Sequence, residues 1–461
     1  MSRIFIQKLK YDWNLFKIDE ITSKNYFETY QKNGELQYLH DWVSLIPSNT
    51  NINNNIYANE IIYGNLKQKD WSFVDLNDNK HYKVFNIIMI SYLTVVFFFN
   101  IDNPCFLIQN YGYMDFFYFG RIKKRALIEI SLSTSGNYLE LPLIENNLNI
   151  IYRAGLNIRT SGLKFSKKML YFGMISNIGH HLWNEISGLF HFLNNKNNID
   201  LIDGIVIGPY DFFNIQKYVT DIYHIKTIKF DVINFPLYLN TYPVFLNSII
   251  IDDICTAPLK YIMNIGIEDN IPSILDNLQI VLDIRTNCRI ILNIVEFYVF
   301  LIKTLYDNTK SKYKLNIVFT GRFLTNLNDI NIDTDTEILN QNKIVSNILS
   351  NFKNSNIRFD NLIGKCFNTI INHIHKADLM IVIFGTSAPN LVNWICKTKT
   401  IGFVQPSNYN VYYSIQHLVL KNETCLVIPT KCFESVDENN NCVIHLINFY
   451  NYFYDIFIKF L

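Results

Sequence analysis

Residues 367–404 read FNTIINHIHKADLMIVIFGTSAPNLVNWICKTKTIGFV. The apolar run from Leu379 to Phe384 stops directly before Gly385, Thr386 and Ser387, and Leu391, Val392, Trp394 and Ile395 then recur at helical spacing. That pattern predicts a helix, a buried strand, a small-residue turn and a second helix. Glycine lets a backbone approach closely, and the first turn of a helix offers unpaired N–H groups to an anion, so the turn suits a phosphate. An ordinary strand-to-helix corner of an α/β fold has the same pattern, and both readings stand at this point.

The same alternation extends in both directions along the chain. Upstream, strands are expected at Ile280 to Ile284, Leu315 to Thr320 and Ile357 to Phe359, and helices at Ile291 to Tyr306, Asn340 to Asn351 and Asn368 to Ala377. A strand at Thr400 to Val404 closes the series. An earlier series runs from a strand at MLYFGMIS through the helix NIGHHLWNEISGLFHFLNNK to the strand LIDGIVIGP. It continues with a helix near Phe212 to Tyr223 and strands near Ile225 to Phe230 and Val244 to Ile251. Alternating strands and helices mark βαβ units and mainly parallel sheets. The expected class is α/β, with two Rossmann-like domains facing a cleft.

Residues before about Thr160 lack this alternation and read as an accessory mixed region with strand-like runs at Ala126 to Ser131 and Leu148 to Arg153. The expected organisation is therefore an accessory region (1–165), a first Rossmann-like domain (166–272), a second (273–430, after the turn at Pro272) and an aromatic C-terminal helix or tail (431–461).

Composition excludes several classes. The chain has 461 residues, 49% hydrophobic and 18% charged, which is ample for more than one core and too apolar for disorder. Lys and Arg total 41 against 40 Asp and Glu, a net charge of +1 that provides no field for capturing nucleic acid. The Asn-rich runs, such as Asn51 to Asn55, read as compositional bias and not as sites. Eight cysteines without a C-x-x-C pair read as reduced, buried thiols; one bridge among Cys425, Cys432 and Cys442 is the alternative. The N-terminus carries charges throughout and lacks the pattern of a signal peptide, so a cytoplasmic protein is expected. Val84 to Phe99 is uncharged but shorter than the ~20 residues of a membrane span, and its Ile, Val, Thr, Tyr and Phe content suits two adjoining buried strands. The C-terminal NFYNYFYDIFIKFL packs as a last helix or touches a membrane surface peripherally.

Two constellations carry chemistry. Gly179-His180-His181-Leu182-Trp183-Asn184-Glu185 lies at a strand-to-helix junction, where α/β proteins bind ligands. Histidine can take a proton near neutral pH, and a carboxylate one helical turn on can orient it, which makes His180, His181 and Glu185 the candidate catalytic groups. The second, from Arg285 through Arg289 and Asn293 to Glu296, begins where a strand ends, with Arg289, Asn293 and Glu296 expected at helical intervals. Guanidinium forks suit a diphosphate, and Arg322 at the end of the next strand adds a third cation. A surface ion pair of Arg289 with Glu296 or Asp283 is the plainer alternative. His373 and His375 read as solvent-facing or base-contacting.

These residues resemble glycosyltransferase family 61. The matches are R-x3-R-x3-N-x2-E at Arg285, Arg289, Asn293 and Glu296, G-H-x-L-x-N at Gly179, His180, Leu182 and Asn184, and G-x4-N at Gly385 and Asn390. The resemblance spans roughly Leu170 to Val404. It implies a two-Rossmann GT-B fold and inverting sugar transfer without an essential metal or other cofactor. The implied donor is a nucleotide sugar, with a UDP-sugar favoured, and the acceptor a glycan or glycoconjugate hydroxyl. It also places Arg285, Arg289, Asn293, Glu296, Gly385, Asn390 and Asn184 among the substrate-binding residues; Arg322 joins them from its place at the end of the next strand, and Thr386 and Ser387 as hydroxyl donors to phosphate. The chain departs from the family where Phe384-Gly385-Thr386-Ser387 replaces His-Gly-Ala-Gly and where Asn184 replaces Asp. Those departures support the rival reading, a carbohydrate- or nucleotide-binding protein that keeps the fold without the chemistry. Asp333 and Asp335, expected in a polar loop, form no convincing metal-binding element. The sequence leaves the oligomeric state open.

Overall fold

The computed structural model describes residues 65–75, 78, 80–110, 116–123, 127–131, 150–151, 153–155, 165, 167–176, 178–231, 239–246, 253–263, 276–287, 289–324, 332–353, 355–383, 395–396, 398–403, 425–439 and 441–458. The chain divides into two compact units, Met1–Ile249 and Ile250–Leu461.

The first unit opens with an antiparallel meander of six strands in sequential order: β1 (Ser72–Asp75), β2 (Lys80–Ser91), β3 (Thr94–Phe99), β4 (Cys105–Asn110), β5 (Phe116–Lys123) and β6 (Leu127–Ser131). The uncharged stretch from Val84 to Phe99 is thus two paired strands, as its β-branched and aromatic content predicts, and every residue of β3 is buried. Trp71, Phe73, Phe97 and Phe99 cluster on one face, with Trp71 stacked on Tyr242 at 4.9 Å. The strand expected at Leu148 to Arg153 is a correction: residues 150–151 and 153–155 are helical. Buried Ile151 and Ala154, three residues apart, suit a helical face as well as a short strand.

A four-stranded parallel sheet follows, built from β7 (Lys168–Phe172), β8 (Gly204–Ile207), β9 (Thr227–Lys229) and β10 (Tyr242–Val244) in the order β10-β7-β8-β9. β7 and β8 are joined by one long helical path. Its parts are α1 (Ile178–His180), a π-helical stretch His181–Ile186, α2 (Ser187–Asn194) and, after Asn195, the short α3 (Lys196–Ile199). α4 (Ile215–Tyr223) joins β8 to β9, starting later than the helix expected from Phe212 because Asp211 caps it. β10 lies ahead of the strand expected at Val244 to Ile251, of which residues 247–251 fall outside the described ones.

In the second unit, α5 (Asp253–Ile262) precedes β11 (Asn277–Asp283), α6 (Ile294–Thr309), β12 (Lys314–Thr320), α7 (Ile332–Leu349), β13 (Arg358–Asn361), α8 (Phe367–His375), β14 (Leu379–Ile383), β15 (Thr400–Phe403) and β16 (Cys425–Val427). All six strands are parallel, in the order β13-β12-β11-β14-β15-β16. Such strands are covered on both faces, which is why Leu379–Ile383 reads as an unbroken apolar run. A hairpin of β17 (Phe433–Val436) and β18 (Cys442–Ile444) leads to α9 (Leu446–Ile456). The C-terminal aromatic segment therefore packs as a helix. Phe449 and Phe453 are buried, Phe449 lying edge-on to Phe297 of α6 at 4.9 Å and against Phe403 of β15 at 5.7 Å. Burying each such ring stabilises by about 1.5–3 kcal/mol. Among the described residues no helix is long and apolar enough to cross a membrane.

Candidate functional site

Both parallel sheets reverse direction of winding at one point. In the second sheet the chain moves from β11 through β12 to β13 on one side, then returns to β14 on the other side of β11. In the first it moves from β7 to β8 and β9, then returns to β10 beside β7. Each sheet has the 3-2-1-4 order of a doubly wound nucleotide-binding fold, whose ligands sit outside the carboxyl ends of the strands at this reversal. The chain leaving β7 runs into His180 and His181. The chain leaving β11 runs into Arg285 and Arg289, and the chain leaving β14 runs into Gly385, Thr386, Ser387 and Asn390, which lie outside the described residues.

At the first reversal, Gly173 follows β7 with φ +75°, a conformation few other residues adopt, and a Cβ built on Gly208 would stand 2.4 Å from its carbonyl oxygen. This close approach is fixed by Gly208 N–H donating to Phe172 O (2.7 Å) and Tyr210 N–H to Gly173 O (2.9 Å). It carries Asp211 and Phe212 up to the helix. His180 is half-buried, with Nδ1 3.0 Å from Asn184 Oδ1. Burial holds its pKa below the usual imidazole value, so the ring is neutral and able to accept a proton at neutral pH. His181, by contrast, is fully buried, with Nδ1 2.5 Å from Glu185 Oε2, and Glu185 also accepts from the N–H groups of Met174 (2.8 Å) and Ile175 (3.4 Å). Of the three candidate catalytic groups, then, His180 lies toward solvent, and His181 and Glu185 form a pair inside the packing. Sequence reasoning missed Asp211. Burial pushes its carboxyl up, the Gln216 and Ile215 N–H groups and His181 draw it down, and Glu185 adds to the rise. Its signal was the Asp four residues before the first helical position of an apolar-periodic segment, Ile215.

At the second reversal the paired ends Asp283 and Thr320 bring Arg285 and Arg322 to neighbouring positions of one sheet edge. Arg285 is half-buried and its charge acts on Asp283. Arg322 is exposed, its Nε 3.8 Å from Glu337 Oε2 and its N–H donating to Gln341 Oε1 at 2.7 Å. The Thr286 hydroxyl is buried without a hydrogen-bond partner, a donor to spare beside Arg285. One expectation needs correction. The helix starts at Ile294, so Arg289 and Asn293 are not spaced along it; Arg289 has φ 53° in the loop before it. Asn293 is engaged by the backbone of β18. Its side chain donates to Ile444 O and accepts from Ile444 N–H, both at 2.9 Å, while Ile290 N–H donates to Asn441 Oδ1. We expect Asn293→Ala to lower stability by about 1–3 kcal/mol, read as a fall in Tm, with nucleotide affinity unchanged. A lost affinity at unchanged Tm would restore the binding role. Glu296 is exposed in the first turn of α6, where a carboxylate favours the helix dipole.

Burial pushes Asp283 up to about 6, against the opposing pull of Arg285 and Thr320 and with Glu337 adding to the rise. A carboxyl raised in the folded state stabilises most below its unfolded pKa of 3.8, and that contribution is lost as pH rises through about 6. Asp283→Asn should therefore flatten the pH dependence of stability between about pH 4 and pH 6 and leave the variant relatively more stable at neutral pH. Urea unfolding at both ends of that window measures it; a parallel shift of the whole curve would place the titration elsewhere.

His373 and His375 both lie half-buried on α8, with His375 Nδ1 3.4 Å from Cys396 O. Asp333 and Asp335 are in α7 and not in a loop, so the triplet is helical. Among the described residues no group of three or more His, Cys, Asp and Glu is placed to hold a metal ion. Cys105, Cys255, Cys396, Cys432 and Cys442 are buried free thiols, whereas Cys366 is exposed, a correction to the uniformly buried reading. It stands at the start of α8, which local apolar periodicity does not reveal.

No family model matches the chain, and no curated protein does. Among solved structures it is similar to an Escherichia coli heptosyltransferase, WaaC, with ADP (10% identity, TM-score 0.32, covering 57% of this chain and 94% of that one). It is similar also to a UDP-GlcNAc 2-epimerase from Methanocaldococcus jannaschii (12%, 0.27, 57% and 89%). A third is a UDP-forming α,α-trehalose-phosphate synthase from Burkholderia vietnamiensis (8%, 0.23, 45% and 47%), of which this chain spans about half the length.

Proposed function

We propose that this protein is a glycosyltransferase of the GT-B type that moves a hexosyl or pentosyl group from a nucleotide sugar, a UDP-sugar first, to a hydroxyl of a glycan or glycoconjugate, as in polysaccharide biosynthesis. The observation that carries it is the winding reversal of each parallel sheet, with an oriented neutral imidazole at one and an arginine-rich edge holding an unpaired hydroxyl at the other.

In this reading the second sheet binds the donor. Arg285, Arg289 and the Thr286 hydroxyl take the diphosphate oxygens, joined by Gly385, Thr386, Ser387 and Asn390, and Arg322 contributes from the next strand. The first sheet serves the acceptor. His180 Nε2 takes the proton of the acceptor hydroxyl while Asn184 holds its Nδ1; the freed oxygen attacks the anomeric carbon as the bond to the diphosphate breaks. A single displacement inverts that carbon, and the charge growing on the departing nucleoside diphosphate is met by the arginines. No step calls on a metal or another cofactor, and any membrane contact is peripheral. Thermal unfolding with UDP, GDP, CMP and their sugars tests the donor site, because a ligand at about 100 times its Kd stabilises by about 2.7 kcal/mol. A rise in Tm with one nucleotide class is expected; no rise with any of them would refute the donor site.

A further inference from the structure

The geometry points to His181 and Glu185 as a strap that fixes the exit of β7 and thereby holds the His180 imidazole in place, which makes both of them positioning residues for the transfer reaction. This inference rests on His180 being the base.

Three donors converge on one buried carboxylate. Glu185 Oε1 accepts from Met174 N–H and Oε2 from Ile175 N–H and His181 Nδ1, so helix and exit loop are tied together at the two residues after Gly173. A carboxylate accepts and does not donate, which puts a proton on Nδ1; the ring's other nitrogen is Nε2. That nitrogen has no partner. The imidazole sits among three rings: Phe172 at 5.0 Å, Phe212 edge-on at 5.1 Å and Phe213 parallel at 5.9 Å between centroids. An unpaired buried nitrogen is costly, and an apolar side chain would fill this space without that cost. What an apolar residue could not supply is the Nδ1–H bond to Glu185.

Two further features link the pair to His180. The π-helical stretch from His181 to Ile186 sets His180 over Asn184 and His181 over Glu185 as neighbouring pairs one turn deep, so the two imidazoles are attached to adjacent backbone units. Asp211, the ionisable group facing the pair from the β8 exit loop, has both oxygens engaged by Ile215 and Gln216 N–H groups and does not compete for Nδ1.

Asparagine at 181 places a donor where Nδ1 stands, and glutamine places one where Nε2 stands. His181→Asn should keep the strap and so retain more turnover than His181→Gln, and His181→Gln and Glu185→Gln should lower kcat roughly ten- to hundredfold with the donor KM unchanged. Hydrogen exchange at the Met174 and Ile175 amides should quicken at least about tenfold in the latter two only. In them the NMR titration of His180 should move up toward the ordinary imidazole value, as the ring becomes more exposed. Unchanged exchange and unchanged His180 titration in Glu185→Gln would overturn the strap, whatever the activity. His181→Asn as inactive as His181→Gln, with exchange still slow, would overturn positioning in favour of a direct part for Nε2. If the wild-type protein turned over none of a panel of UDP-, GDP- and CMP-sugars, the transferase reading would fail, and exchange and titration would still decide the strap.

Discussion

Replacing His180 by alanine is expected to lower sugar-transfer turnover by about a hundredfold or more while nucleotide binding survives, because general-base catalysis acts on the transition state and not on donor affinity. The structure makes this substitution more telling than its neighbour. His180 is half-buried and neutral, its Nδ1 is held by Asn184, and the proton-accepting nitrogen is therefore Nε2. Removing His181 would break its bond to Glu185 and empty space among Phe172, Phe212 and Phe213, so its loss would not read chemistry alone. Steady-state kinetics on His180→Ala and Asn184→Ala separate the roles: the first should lose turnover outright, the second a smaller part of it. Wild-type kcat in His180→Ala would remove the imidazole from the chemistry.

Arg285→Ala should weaken nucleotide binding by about 1.5–3 kcal/mol, roughly ten- to 150-fold in Kd, since it deletes a charge-assisted contact to phosphate. The same loss is expected at Arg289. Arg322→Ala should cost less, because its guanidinium is exposed and already beside Glu337 at 3.8 Å, so the cation is partly neutralised before any ligand arrives. Titration calorimetry with UDP ranks the three. If Arg322→Ala proves the most damaging, the diphosphate lies over β12 and not at the reversal beside β11.

The order of these effects follows from what could be read locally. Parallel strands buried on both faces are continuous apolar runs, so Leu315–Thr320 and Leu379–Ile383 were plain in the sequence, as were the two strands between Val84 and Phe99. The His180 and His181 helix was equally legible. What was not legible is long-range. Ile290 and Ile291 look like the first apolar positions of a helix, yet they pair with residues near Cys442, and Asn293 serves a backbone 151 residues away. No local pattern announces a partner at that separation. Asp211 and Phe212 were missed for the same reason: a loop after the next strand carries them to His181. The strand order, which supplies the strongest argument for ligand sites, is likewise a property of the fold and not of any segment.

The most direct test of the account is turnover of a panel of UDP-, GDP- and CMP-sugars by the purified full-length chain, with release of the nucleoside diphosphate or monophosphate followed with and without oligosaccharide acceptors. Release from one nucleotide class, a UDP-sugar first, is expected, lowered about a hundredfold or more in His180→Ala and weakened through KM in Arg285→Ala. Tight nucleotide binding with no release from any sugar nucleotide would contradict it, and would leave a binding protein on a transferase-like fold.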